Sequence, residues 1–271
     1  MAEDLKRKRI SFWSWLWIAL GAAYLFVPLI ATFDFSLRAK KGVLSFLSYQ
    51  NVFNDPNFWS TISFSLEIAF FTIIVAILLV LPTVYWIRLK LPQLRGMIEF
   101  ISILPFVVPA IVLVFGLIRV FSGAPFFLTD SFFGTYVLMV AAYVVLALPY
   151  VFRSIDTGLA AIDVRSLTEA AQSLGAGWLT ILWRVILPNV RVAILSSAFL
   201  TLATVVGEYT MASFLVGIKA FGPYMSLVGQ NKTYESSSLA IISFLVTWGF
   251  MALIQIFTRG RADSSSLAGA R

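Results

Sequence analysis

The stretch DVRSLTEAAQSLGAGWLTILWRVILP, residues 163–188, decides how the rest of the chain is read. Its first half carries the marks of a short helix with two defined ends. Ser166 followed three residues later by Glu169 is a capping-box pattern, in which each side chain satisfies a backbone N–H at the helix start. Ala170 and Ala171 favour helix, and Gly175 suits the left-handed position that closes one. The small Ala170-Ala171 surface lets another protein approach closely, and Glu169 offers a carboxylate for an inter-subunit hydrogen bond. Such a helix suits a docking peg, although an ordinary interfacial helix with a glycine stop fits the same residues.

Outward from this segment the chain is overwhelmingly apolar. Of its 271 residues, 60% are hydrophobic and only 12% charged, against about 25% charged in soluble domains. Mean hydropathy is +0.91. With about 20 apolar residues needed per bilayer crossing, six stretches qualify: roughly 13–33, 59–87, 97–121, 133–152, 192–215 and 238–257. The expectation is an all-α polytopic membrane protein with six transmembrane helices, a single transmembrane domain over 1–271, and a long polar loop over 153–191. The first stretch follows the basic run Lys6-Arg7-Lys8-Arg9, but its apolar part is too long for a signal-peptide core and lacks a small-residue cleavage site, so it reads as a retained first span.

Charge distribution gives the orientation. Fourteen Lys and Arg fall on the side of the termini, of 88–95 and of 153–191, and six on the opposite side. Basic loops stay in the cytoplasm, which places both termini and the 153–191 loop inside. The net charge of +7 is thereby topogenic and not a nucleic-acid patch. Cysteine and histidine are absent, which removes Cys- or His-ligated zinc, haem with axial histidine, and Ser-His-Asp or Cys-His hydrolysis. No internal repeat stands out, and 262–271 is the one linker-like tail. Asn231-Lys232-Thr233 matches a glycosylation sequon, which chance explains best.

Within the expected spans, Pro28, Pro82, Pro105, Pro109 and Pro149 each remove a backbone donor and predict kinks rather than breaks. Two acids lie inside the spans, where a charge costs about 2.5 to 3.5 kcal/mol at mid-helix and so tends to face a cavity or a partner. Glu67 and Glu208 fall at similar depth, ~10 to 12 Å below the outer surface at ~1.5 Å per residue. With Tyr209 and Thr210 beside Glu208, they would draw a cation into a central path. A structural role fits them too: Glu67 paired with Arg119 or capping a helix, Glu208 bracing an interface. Gly207 beside Glu208 is expected to permit close backbone approach.

The pattern Glu169-Ala170-Ala171, three residues, Gly175, nine residues, Val185, one residue, Leu187-Pro188 resembles the EAA loop of binding-protein-dependent ABC importer permeases of the type I, MetI-like fold. Val185 stands where the family usually has isoleucine. The resemblance covers about 59–257 and implies that the helix near 163–175 is a coupling helix, seated in a cleft of a cytoplasmic ATPase, with Glu169 and Gly175 as mechanical contacts. It further implies three partners besides membrane lipid: a second permease subunit, related but not identical; a homodimeric ATPase; and an extracytoplasmic substrate-binding protein. The external segments 34–58 and 216–237 are the expected docking surface for the last of these. The chain has no G-x-x-x-x-G-K-[ST] phosphate loop, so no cofactor is expected on it, ATP and Mg belonging to the partner ATPase.

The Gly207-Glu208 pair is similar to one in polyamine- and iron-type permeases of this family, which leans the substrate towards spermidine or putrescine, with ferric iron, aminoethylphosphonate or another small solute behind. An ion-coupled secondary transporter would use Glu67 and Glu208 as coupling sites, but it leaves the 163–188 pattern unexplained. An intramembrane hydrolase lacks histidine, and no lysine lies within a span.

Overall fold

The computed structural model describes residues 12–259, so the basic run at 6–9, the arginines at 261 and 271 and the 262–271 tail lie outside the described residues. Contacts divide the chain into two compact units. The first joins the described residues up to Asn54 with Val228–Ile242. It contains α1 (Phe12–Ser36), α2 (Leu47–Asn54) and the start of α13 (Thr233–Arg259). Serine hydroxyls stitch it together. Ser48 Oγ donates to the Ser36 carbonyl at 2.5 Å, Ser238 Oγ donates to Ser48 Oγ at 2.8 Å, and Phe35 stacks on Tyr234 with centroids 4.8 Å apart. The apolar window of α1 buries nothing against the protein. A helix that is hydrophobic all round with no protein around it matches a lipid environment.

The second unit, Asp55–Leu227 with the described residues from Ser243, holds α3 (Pro56–Lys90), α4 (Arg95–Val107), α5 (Ala110–Phe121), α6 (Phe132–Ala160) and α7 (Val164–Ser173). There follow α8 (Trp178–Thr180), a π-helical turn (Ile181–Ile186), α9 (Leu187–Asn189), α10 (Arg191–Gly207), α11 (Thr210–Leu215) and the start of α12 (Phe221–Asn231). Its core is α3, α6 and α10, each packed on the other two. In hydrocarbon there is no hydrophobic force between helices, so association needs close packing through small side chains. Ala69, Ala76, Ala147, Ser197 and Ala198 are buried here, and Gly158 of α6 lies so close to Ala193 of α10 that a β-carbon would collide with the alanine methyl.

The fold is all-α: among the described residues the extended structure is limited to one isolated bridge between Lys40 and Val43. Among the described residues four helices, α1, α3, α6 and α13, are long and apolar enough to cross a bilayer, and counting each sharply bent pair as one span gives six. Pro28, Pro82 and Pro149 sit inside continuous helices as expected. The expected third span, 97–121, is instead broken: the helices on either side of Val108-Pro109 diverge by 98°. A residue before proline is pushed out of the helical region, and Val108 is extended at φ −85°, ψ 120°. The expected fifth span, 192–215, is also not one helix. α10 ends at Gly207, Glu208 is extended, and α11 starts at Thr210. A further bend of 79° separates α9 from α10.

Candidate functional site

The segment at 163–188 forms a helix with both ends fixed, but it starts earlier than the capping-box pattern predicts. The N-cap is Asp163, whose carboxylate accepts from the Ser166 N–H at 3.1 Å and the Ser166 hydroxyl at 2.6 Å. These donors, the hydroxyl first, hold the Asp163 carboxyl below its ordinary range. Ser166 thus lies in the first turn, and Glu169, released from capping, pairs with Arg165 one turn back at 2.9 Å. At the other end Gly175 has φ +79°, as its position predicts. The Gly175 N–H donates to Gln172 O at 2.8 Å and the Ala176 N–H to Ala171 O at 3.0 Å, the paired bonds of a Schellman stop.

One face of α7 is anchored and the other is bare. Val164 and Thr168 are buried, four residues apart, and the Tyr85 hydroxyl of α3 meets the Thr168 hydroxyl at 3.2 Å. Away from them Glu169, Ala170 and Gly175 are exposed, while Ala171, on the same face as Thr168, is half-buried. Leu174, which the sequence reading passed over, is 89% exposed. Leu187 and Pro188 lie downstream at the end of the π turn, Leu187 half-buried and Pro188 exposed. Pro188 has no N–H to offer the preceding turn, and the Leu187 N–H reaches back five residues to Leu182 O.

Beside α7 lies a charged cluster that sequence reasoning missed. Asp156 of α6 is 7% exposed. Arg88, from the last turn of α3, donates through Nε to Asp156 Oδ1 at 2.8 Å and through Nη2 to its backbone carbonyl at 2.8 Å. Arg95, at the start of α4, takes Asp156 Oδ2 at 2.8 Å. Two guanidiniums on one carboxylate join the ends of three helices.

Of the two acids expected in a substrate path, Glu208 is fully engaged by its own surroundings. Oε1 accepts from the Met211 N–H at 2.9 Å, and Oε2 from the Ala212 N–H at 3.0 Å and from the Tyr143 hydroxyl at 3.1 Å. The carboxylate caps α11 and ties it to α6. Tyr209, next to it, is 51% exposed. Gly207 has open space where its β-carbon would be, contrary to the close approach expected of it; the glycine that does serve this purpose is Gly222, where a β-carbon would meet Glu208 O at 2.5 Å. The Phe221 N–H beside it donates to the buried Ser65 Oγ of α3 at 2.9 Å.

Glu67 is different. It lines a cavity of about 570 Å³ between α3 and α6 with Phe71, Phe132, Phe133 and Tyr136. The expected partner Arg119 is exposed and makes no ion pair with it. Glu67 faces the Tyr136 hydroxyl, close enough for their charges to interact but outside hydrogen-bond geometry. The Phe132 ring already holds a cation, with Lys219 Nζ 5.1 Å from its centroid.

Comparison with known proteins matches residues 88–260 to the family described as "Binding-protein-dependent transport system inner membrane component". The chain belongs to that family. Among its relatives is the spermidine/putrescine transport system permease protein PotC of Haemophilus influenzae, 29% identical over 249 residues, 88% of this chain and 93% of that one. The molybdenum transport system permease protein ModB of Azotobacter vinelandii is 28% identical over 204 residues, 69% of this chain and 90% of that one. The permease also shares its fold with a chain of a bacterial ABC transporter involved in import of the acidic polysaccharide alginate, at a TM-score of 0.66 and 16% identity, covering 95% of this chain and 99% of that one. It is an ABC importer permease subunit of the inner membrane and not an enzyme; the ATPase activity lies in a partner.

Proposed function

We propose that α7 is the coupling helix through which a separate, homodimeric ATPase drives the permease, with both termini and α7 in the cytoplasm. The observation that carries this reading is the division of α7 into an anchored face, with Val164 buried and Thr168 on Tyr85, and a bare one on which Glu169, Ala170 and the 89% exposed Leu174 stand beside the Gly175 stop. A large apolar side chain held out on a well-ordered helix end suits insertion into a partner's cleft. Glu169, Ala170, Ala171 and Gly175 form the contact, and Leu187 and Pro188 set the turn behind it. The permease acts as a single transmembrane domain beside a second, related permease chain, receives substrate from an extracytoplasmic binding protein, and binds no cofactor itself.

The substrate is a small organic cation of the polyamine class. Glu67 supplies a carboxylate that makes no ion pair among the described residues, in a cavity walled by aromatic rings, a combination that suits ammonium groups through charge and ring faces together. The likeness to a spermidine/putrescine permease over 88% of the chain points the same way. Uptake by the complex reconstituted with its ATPase and binding protein tests this. Spermidine or putrescine is taken up, and Glu67→Gln lowers uptake about tenfold or more, the worth of one charged hydrogen bond. Uptake of molybdate or sulfate in place of polyamines refutes the substrate assignment and leaves the coupling assignment standing.

A further inference from the structure

The Arg88–Asp156–Arg95 cluster has no place in docking or in the Glu67 cavity, yet it lies one helical turn from Tyr85, which holds α7, on helices that also wall the cavity. Tyr85 and Arg88 are three residues apart on α3, so they share a face. Tyr85 holds α7 through Thr168, and Arg88 holds α6 through Asp156. Arg95 adds the start of α4 to the same carboxylate. From Asp156, α6 runs back to Ala141 and Tyr136 in the cavity wall, and α3 runs back to Glu67 and Phe71. α4 runs only to Val107 before the 98° bend, so a displacement of its first turn arrives at that bend. A buried ion pair is a poor source of stability, since desolvation offsets most of its attraction, whereas loss of one partner is felt strongly. A cluster that joins the ends of three helices beside a fourth therefore suits a link that keeps them in register.

We propose that Asp156 is a positioning residue for transport: it makes the neighbouring ends of α3, α4 and α6 move as one block with α7, so that motion imposed on α7 reaches the helices around Glu67. The proposal rests on α7 being the ATPase-docking helix. Arg88 is the polar link to α3 and Arg95 the link to α4, beside the Glu99–Arg153 pair that also joins α4 to α6 at 3.0 Å, and removal of either arginine loosens one link while the other stays bound.

The test uses the complete complex, with its ATPase and binding protein, in lipid. Asp156→Asn, Asp156→Glu and Arg95→Gln are compared with Glu169→Lys. Association with the ATPase, hydrolysis with and without loaded binding protein, thermal stability, and cargo moved per ATP are read on each. Arg95 is half-exposed, so Arg95→Gln keeps the question answerable should Asp156→Asn fail to fold. Asp156→Asn and Arg95→Gln are expected to associate and hydrolyse ATP at the unstimulated rate, while cargo per ATP falls roughly tenfold, within the ordinary range of coupling free energies. Asp156→Glu, which keeps the charge, recovers part of it. Unchanged uptake, or a loss of uptake that follows loss of association or melting temperature at constant cargo per ATP, overturns the proposal and leaves the cluster a brace. Glu169→Lys is expected to lose association; if it associates and is stimulated normally, the docking role of α7 fails separately.

Discussion

Gly175 allows the docking helix to be perturbed at its stop, with no clash inside the permease itself. The residue sits at φ +79° with no atom within 4 Å of the place a β-carbon would take. A side chain there meets no steric obstacle, and its whole cost is conformational. For an L-residue in the left-handed region that cost is about 1 to 2 kcal/mol, which is roughly a five- to thirtyfold shift in the population of the native helix end. Relaxing φ to a negative value would break the Ala176 to Ala171 bond and redirect the chain where it leaves α7 behind Leu174. The measurement is the affinity of the solubilised permease for its ATPase subunit across Gly175, Gly175→Asn, Gly175→Ala and Gly175→Val. Asparagine tolerates the left-handed region, so affinity should fall in that order, by at most about thirtyfold for alanine, with faster amide exchange at 176 in step. Equal affinity for all four, or asparagine as damaging as valine, would refute the reasoning.

Three further outcomes follow from the geometry. Gly158→Val should overpack the α6–α10 crossing at Ala193 and cost about 1 to 3 kcal/mol, seen as a lower melting temperature in detergent, while Gly207→Ala, which meets open space, should leave it unchanged. Glu208→Gln should lower the melting temperature more than Tyr143→Phe, because the first weakens two charge-assisted bonds to the α11 N–H groups, each worth about 1.5 to 3 kcal/mol, and the second removes one hydroxyl donor. The Asp163 cap has a depressed carboxyl pKa in the folded protein, so its contribution is present above the unfolded value of 3.8 and is lost as pH falls through the folded one. Amide exchange at Ser166 should therefore show no cap loss from pH 8 down to about 5, and Asp163→Asn should abolish the acid dependence below that.

How much of this was readable in the sequence depends on the range of the interactions involved. The apolar runs and basic loops are local, and they give an all-α membrane chain; so is Gly175, whose φ follows from its place after an alanine-rich helix. The start of α7 is ambiguous locally, because Asp163-x-x-Ser166 and Ser166-x-x-Glu169 both fit a cap. The choice goes with distant packing, Thr168 on the Tyr85 hydroxyl and Val164 buried one turn before it, which puts the first turn at 164. The break at Glu208 has no proline to announce it; the Glu208 carbonyl lies against Gly222, and the Phe221 N–H beside that glycine donates to Ser65, contacts that no local pattern shows. Arg88 and Arg95 look like topogenic charges in the sequence. Their partner Asp156 is 68 and 61 residues away, beyond any local pattern.

The central claim, that α7 transmits the work of a separate ATPase, is tested most directly by stimulated hydrolysis. The complex is purified in lipid with its ATPase and binding protein, and ATP turnover is measured with spermidine or putrescine for wild type, Glu169→Lys and Gly175→Trp. Loss of subunit association or of ligand-stimulated turnover in both variants is the predicted result. Substrate movement without any ATPase, indifferent to both changes, would contradict the account.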